Sequence, residues 1–378
     1  MDGKRAGTLA VAVTAALAFP GTAVAHERAG VGAVRRGLEE LIRANGGPPG
    51  AIATLYRDRH LTVVSAGRAN IDHPGAPRRT DHMRIASLAK PFNAAVVLRL
   101  VQHGLIGLGD TIGQRLPSLP AAWRAVTVRQ LLHDTSGLPE YTKSAGFAAQ
   151  LKNDPQGFVS PTTVIGWVES EGLIFPPGSR HQYSNTDNIV LGLIAEAVSG
   201  KSYGTLLRQI VLRPAKLRQT TLPSTTALPT PFIHGYAYQD GKPTDVSTAV
   251  NPSGAWVSGG IVSTPAELNQ FMRSYLTPRF FGRTLQRVQM HFVAGSSSPT
   301  GPGVNSAGLG IFRYRTRCGT VYGHTGGFPG YTQFAAATRD GTRAVTMSFN
   351  FPEPSGAMLE RLRSVETTAV CALLRKNP

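Results

Sequence analysis

Cys318 and Cys371 are the only cysteines in the 378 residues, and the ten histidines form no ligand-spaced cluster. Neither Cys-x-x-Cys nor His-Glu-x-x-His occurs. That excludes the common zinc frameworks, and no metal or other cofactor is expected. After residue 19 there is no further long apolar run, which excludes a protein of several membrane-spanning helices. The C-terminus carries no hydrophobic tail or lipidation motif, so no membrane anchor is expected. Internal repeats and low-complexity segments are also missing.

Acidic residues are scarce. Twenty-two Asp and Glu face 39 Lys and Arg, for a formal charge of +17, yet no block of five like charges appears. The arginines are scattered and no motif interleaves aromatic with basic side chains, so a nucleic-acid binder is not expected. A scattered positive surface suits solubility or attraction to polyanions such as cell-wall polymers. With 41% hydrophobic residues and a mean hydropathy of −0.09, the chain can build a large soluble core, which excludes a disordered tail protein.

Met1 to Ala25 has the pattern of a secretory leader: Lys4 and Arg5, an apolar stretch from Thr8 to Phe19, then Ala23-Val24-Ala25 at the cleavage position. The stretch is too short to span a bilayer, which takes about 20 residues. A secreted product starting at His26 is expected. In an oxidising compartment the isolated cysteine pair is a disulfide candidate, the alternative being two buried thiols.

Helical periodicity marks Val31–Ala44, stopped by Gly46-Gly47. Gly50–Leu55 and Leu61–Ala66 predict a hairpin around Arg57-Asp58-Arg59. An apolar helix runs from Ser87 to His103, a second from Asn188 to Val198, and a last from Ser355 to Leu374. Strand signals return at Gly319–Tyr322, Tyr331–Thr338 and Ala344–Phe349. Residues 105–250 show no convincing strand pair. One sheet built from both ends of the chain, with an inserted helical lobe, is the simplest layout.

Three short signatures carry chemistry, each occurring once. In Ser87-Leu88-Ala89-Lys90 the spacing places the lysine one turn from the serine on the same helix face. A lysine among Leu88 and Phe92 has its pKa depressed toward that of a useful base, and the helix N-terminus offers N–H groups to an oxyanion. The structural alternative is a capping serine with a surface lysine. Tyr183-Ser184-Asn185 pairs a proton-relaying phenol with an amide that both donates and accepts; alternatively it is a loop tyrosine before a capping asparagine. In His324-Thr325-Gly326-Gly327 the glycines permit close approach of another backbone, or simply turn the chain between strands.

In that order, Ser-x-x-Lys, Tyr-x-Asn and a basic residue before Thr-Gly resemble the penicillin-recognising serine hydrolases: D-Ala-D-Ala carboxypeptidases, class C β-lactamases and related esterases. The resemblance extends over residues 30–371. Leu131-Leu132-His133-Asp134-Thr135-Ser136-Gly137-Leu138 is similar to the family's LLxHTSGL segment, with the histidine displaced by one position. Phe175 to Gly192 and Gly259-Gly260-Ile261-Val262-Ser263-Thr264 are similar to two further family stretches. Histidine before Thr-Gly resembles the secreted Streptomyces-type carboxypeptidase, which also strengthens the Cys318–Cys371 disulfide.

The resemblance implies a β-lactamase/transpeptidase-like α/β (α+β) fold: an antiparallel sheet flanked by helices, with a sheet lobe from about 26–100 and 250–378 and an all-helical lobe from about 101–249. It implies that Ser87 is acylated, that Lys90 and Tyr183 handle its proton, and that the N–H groups of Ser87 and Gly327 hold the oxyanion. Asn185 would hold the substrate amide, and His324 and Thr325, beside Gly326, its carboxylate. Trp256 is equally a site wall or a core residue. Gly327 stands where the carboxypeptidase carries a hydroxyl, a loss for which Arg313, Arg315 and Arg317 are candidate substitutes, or else plain surface arginines. The expected activity is D-alanyl-D-alanine carboxypeptidase on peptidoglycan-type peptides, with binding of β-lactams, in a monomer. The alternatives are a class C-like β-lactamase, a D-amino-acid esterase or amidase, and a non-catalytic penicillin-binding or sensor protein.

Overall fold

The computed structural model describes residues 20–293 and 301–374. Most of the leader-like stretch, residues 1–19, lies outside them. The remainder of that stretch is the start of α1 (Pro20–Arg43).

Seven strands make one antiparallel sheet in the order β2-β1-β11-β10-β9-β8-β7. The members are β1 (Gly50–Arg57), β2 (His60–Gly67), β7 (Val304–Gly308), β8 (Ile311–Thr316), β9 (Gly319–Phe328), β10 (Tyr331–Ala337) and β11 (Ala344–Phe349). The β1–β2 turn places Asp58 and Arg59 at φ 51° and 66°, the doubly left-handed geometry that matches the twist of the flanking strands. β10 and β11 are buried along their whole length, as central strands covered on both faces must be. Two short pairs lie outside this sheet: β3 (Met83–Arg84) with β6 (Val262–Ser263), and the hairpin of β4 (Tyr236–Gln239) and β5 (Lys242–Asp245).

Helices cover both faces. α1 and α12 (Gly356–Leu374) pack together over one face, where Val34, Leu38, Phe334, Met347, Val370 and Leu373 share a core. Against the other lies a helical body centred on α2 (Ala89–Gln102), which ends at the left-handed Gly104. Eleven of the fourteen α2 residues are buried, Lys90 included, so this helix is apolar nearly all round and runs through the core. Around it lie the short α3 (Ile112–Arg115), α4 (Val128–Leu132), α5 (Ala145–Asn153) and α6 (Pro161–Gly166), then the long buried α7 (Asn185–Ser199) and α8 (Tyr203–Leu207). α9 (Trp256–Gly259), α10 (Pro265–Tyr275) and α11 (Arg283–Gln289) return the chain to the sheet.

The β-lactamase/transpeptidase-like layout expected from sequence is present. Residues 105–250 nevertheless contain the β4–β5 pair, which the sequence reading did not foresee. Its strands, Tyr-Ala-Tyr-Gln and Lys-Pro-Thr-Asp, are half exposed and carry no apolar alternation. Asp240-Gly241, both at positive φ, form the turn. α7 starts three residues earlier than its apolar periodicity suggests. A disulfide joins Cys318, in the β8–β9 turn, to Cys371 in α12. It ties the helical cover to the sheet across 53 residues of chain. A link of that span contributes about 2–4 kcal/mol. Replacing both cysteines by serine is expected to lower the urea midpoint accordingly, and an unchanged midpoint would contradict this.

Candidate active site

Ser87 sits in a single 3-10 turn, Ala86–Leu88, that feeds α2. Ala86 is held at φ 52°, a left-handed conformation costing a non-glycine residue about 1 kcal/mol or more. Neighbours hold the turn: Ile85 N donates to Ile261 O, and Gln333 Nε2 donates to Arg84 O. β9 presses directly against it. A Cβ on Gly326 would stand 2.7 Å from Ile85 O, 3.0 Å from Ala86 Cβ and 3.1 Å from Ser87 N, so only glycine permits this approach.

One turn along α2, Lys90 is 2% exposed. Its Nζ donates to Ser87 Oγ at 3.2 Å, Asn185 Oδ1 at 2.6 Å and Ser258 O at 2.9 Å. Burial pushes its pKa down to about 8, against the pull of Asp134, Glu140 and Asp187. Of its three partners, the asparagine oxygen and the carbonyl only accept, whereas the Ser87 hydroxyl also donates. When Lys90 loses a proton, its new lone pair therefore has Ser87 O–H as its natural donor.

Asn185, at the start of α7, is committed at both ends. Its Oδ1 receives Lys90, while its Nδ2 and backbone N donate to the Glu140 carboxylate at 3.2 and 2.6 Å. The Lys90 Nζ lies 4.6 Å from the Tyr183 ring centroid. The Tyr183 hydroxyl is buried and faces Ser87 without closing a full hydrogen bond. Burial drives its pKa well above 10, so it holds its proton.

Asp134 lies behind Lys90, where the two help line a small cavity with Asn188 and His324. Burial raises the Asp134 pKa to about 7, with Lys90 opposing. Its backbone is left-handed (φ 54°), and its Oδ2 stands 3.9 Å from His181 Nε2. Burial, then His133, lowers the His181 pKa to about 4.

The His324-Thr325-Gly326-Gly327 run lies on β9, but His324 is 1% exposed. Its Nδ1 donates to Thr325 O at 2.5 Å. Burial, then the charge of Lys90, pushes its pKa down to about 3. Of the two states that residue type allows, cationic or neutral, burial selects the neutral one, and an enclosed neutral ring does not present a cation to a substrate carboxylate. Thr325 is also buried, with its hydroxyl unpaired among the described residues. Trp256 proves to be a packing residue: its ring lies 5.4 Å from that of Tyr203 and fills the space left by Gly192 of α7. Arg313 lies over Phe292 and donates to Ser306, while Arg315 and Arg317 are exposed. None of the three lines the cleft.

That cleft, about 190 Å³, opens beside Ser87 and Asn185. Its wall includes Tyr141, Phe147, Leu151, Trp167, Val159 and Phe328, with Gly327 at the margin, and no charged side chain among the described residues lines it. Tyr141, Phe147 and Trp167 form a packed trio with centroids 5.6–6.3 Å apart. A Cβ on Gly146 would meet Trp167 at 2.3 Å, so this glycine shapes the wall. Sequence reasoning singled out neither this trio nor Glu140; no short motif joins them. The one visible signal near them was Asp134 in place of the family's histidine. No cluster suited to a metal ion occurs among the described residues, and none of their helices is long and apolar enough to cross a membrane.

The beta-lactamase family pattern matches residues 34–368. A D-stereospecific amidohydrolase from Streptomyces sp. is 30% identical and superimposes with a TM-score of 0.78 over 89% of this chain and 98% of that one. D-amino acid amidase from Ochrobactrum anthropi SV3, complexed with D-phenylalanine, shares the fold at 22% identity with a TM-score of 0.81, over 91% and 99% of the two chains. D-alanyl-D-alanine-carboxypeptidase/endopeptidase AmpH of Escherichia coli is 29% identical over 225 residues, 57% of this chain and 54% of that protein. The chain spans about half the length of the curated relatives it matches.

Gly326→Ala tests how closely the strand must approach Ser87. Because sub-ångström misplacement is costly in such sites, kcat/KM is expected to fall about 10²-fold with circular dichroism unchanged. Full activity would show that the contact is slack.

Proposed function

The chain belongs to the beta-lactamase family of serine hydrolases, and on that premise we propose that it forms an acyl-enzyme on Ser87 and hydrolyses amides and esters of D-amino acids with apolar side chains. The observation that carries this reading is the uncharged, aromatic-walled cleft beside Ser87. It suits an apolar acyl group and offers no cation to a terminal carboxylate. The preference for the D configuration rests on the likeness to the D-stereospecific amidohydrolase from Streptomyces sp..

In this mechanism neutral Lys90 takes the Ser87 proton as Oγ attacks the substrate carbonyl. The negative oxygen is held by the N–H groups of Ser87 and Gly327; removing one such donor typically costs about 10²–10³ in rate. Tyr183, still protonated, passes a proton to the departing amine or alcohol as its bond to the carbonyl carbon breaks. Water then attacks the ester, gives its proton back through the same pair, and frees Ser87. The lowered Lys90 and raised Tyr183 pKa values support this division of labour over its reverse, since a tyrosinate base would need strongly alkaline conditions. Asn185 serves here chiefly to orient Lys90. The leader-like residues 1–25 support an extracellular place of action.

D-alanyl-D-alanine carboxypeptidase action, of the Streptomyces secreted type, is the second reading and is favoured by the likeness to AmpH. Three rates separate the readings, together with the β-lactamase alternative: ammonia release from D-phenylalanine amide, D-alanine release from a D-Ala-D-Ala peptide, and turnover of a chromogenic cephalosporin. The amide is expected to be fastest and its L enantiomer at least tenfold slower. Faster D-alanine release or cephalosporin turnover would move the assignment accordingly.

Two further outcomes are expected. Ser87→Ala abolishes labelling by a tagged penicillin and lowers amide hydrolysis by at least about 10³-fold; persistent labelling would sink the nucleophile assignment. In the wild type, kcat/KM rises as pH climbs through about 8, because Lys90 must lose its proton to act as a base. A profile flat from pH 6 to 10 would remove Lys90 from that role.

A further inference from the structure

Behind Lys90 lies a second space, much smaller than the cleft. It measures about 10 Å³ and is lined by Lys90, Asp134, Asn188 and His324 together with Leu132 and Ile311. Neither Ser87 nor any other residue of the cleft wall takes part in it. That volume seats a single water, provided polar groups surround it. His324 Nδ1 donates to Thr325 O, which leaves Nε2 as an acceptor, and Asn188 takes Asn93 on Oδ1, which leaves its Nδ2 as a donor.

All three protons of the Lys90 ammonium are already placed, on Ser87, Asn185 and Ser258. None remains for Asp134, so its carboxylate acts on Lys90 by charge across the cavity and not as a direct ion pair. Asp134 is held in place for this. Its left-handed backbone (φ 54°) sits in a turn, and its carbonyl accepts Gln182 N at 2.8 Å. The carboxylate itself is weakly engaged: Ser184 N donates to Oδ1 at 3.5 Å, and His181 Nε2 stands 3.9 Å from Oδ2. A buried charge with so few local donors acts mainly on the nearest cation.

The other titratable groups around the pair are committed elsewhere. Glu140 holds the backbone and side-chain N–H groups of Asn185. Asp187 accepts the Ser136 hydroxyl and does not line the cavity, and burial drives its pKa well above the usual carboxylate range. Burial likewise keeps His181 and His324 neutral and Tyr183 protonated. His133 turns away, toward His291 O. Asp134, brought to about 7 by burial against the pull of Lys90, is the acid of the cavity that is ionised where Lys90, at about 8, sheds its proton.

We propose that Asp134 is a positioning residue for the reaction: across the one-water cavity its carboxylate stabilises Lys90 as an ammonium and so makes Lys90 a stronger base toward Ser87. The inference rests on Lys90 acting as the base and deepens that reading. In the step itself the Ser87 O–H proton passes to Lys90 Nζ as the bond from Oγ to the carbonyl carbon forms. Asp134 gains no proton; it offsets the positive charge that arrives on Lys90.

Asparagine and glycine both tolerate a left-handed backbone, so Asp134→Asn and Asp134→Gly remove the charge with little strain on the turn. A nearby carboxylate raises a lysine pKa, and its loss lowers it. In both variants the rising limb of kcat/KM is expected to move to lower pH by about one pH unit, with the alkaline plateau about three- to tenfold lower because the base is weaker. The limb is followed in D-phenylalanine amide hydrolysis and in acylation by a tagged penicillin, so the result does not depend on the natural substrate. Structural damage alone would lower the plateau and leave the limb in place, and a limb unmoved in both variants overturns the proposal. A wild type with no limb at all removes Lys90 as the base, and the proposal falls with that reading. Should neither variant fold, carbon NMR of the wild type with carboxyl-labelled aspartate decides. An aspartate signal that titrates near pH 7 supports the assignment, and the lack of one overturns it.

Discussion

Lys90 is almost wholly withdrawn from water, and a buried ammonium survives only where each of its protons meets an acceptor. Those acceptors come from three separate parts of the chain: the serine one turn back, the asparagine that opens α7, and the carbonyl of Ser258. Satisfying them fixes α2 against α7 and draws the 255–260 segment over both. The same arrangement requires glycine at 326, because the sheet must come close enough to seal this centre from behind. The polar geometry and the apolar packing of α2 are therefore a single constraint. A shift of either helix would leave a buried charge without a partner, a loss of several kcal/mol.

The second layer is electrostatic. Asp134 and Asp187 are buried within reach of Lys90, and Glu140 binds the asparagine that holds it. Burial raises the pKa of both aspartates, so the pocket resists accumulating negative charge and the lysine is only partly compensated. That balance keeps Lys90 near neutrality at mildly alkaline pH while the better-shielded Tyr183 retains its proton. His181 and His324 are neutral because burial outweighs the benefit of charging them. In the proposed mechanism such opposed environments sort one set of ionisable groups into a proton acceptor and a proton donor.

Much of this was legible in the sequence, because local rules coincide with tertiary ones there. Ser87, Lys90 and Tyr183 lie in short patterns whose spacing a helix or turn fixes, and the structure brings them together. The hairpin at Asp58-Arg59, the end of α7 at Gly200 and the strands flanking Gly341 follow from turn chemistry. The cleft was not legible. Its walls come from a 3-10 turn, α5, the residues after α6 and the end of β9, which no periodicity connects. Trp256 and His324 show the converse limit: residue type leaves wall or core, and cation or neutral ring, equally open, and only the tertiary packing makes one a packing ring and the other a neutral one. Polar strands β4 and β5 escaped notice because hydrogen bonding and a tight turn, not an apolar face, define them.

The aromatic trio of Tyr141, Phe147 and Trp167 lies within one stretch of 27 residues. The lysine, its serine and the glycines of β9 lie elsewhere in the chain. On the proposed function, shape recognition and proton handling are thus carried by different portions of the polypeptide, joined at Glu140. Insertions or substitutions confined to that stretch can redraw the outline of the accepted acyl group while the reacting centre stays intact. A scaffold so divided can diversify its diet without having to reinvent its chemistry.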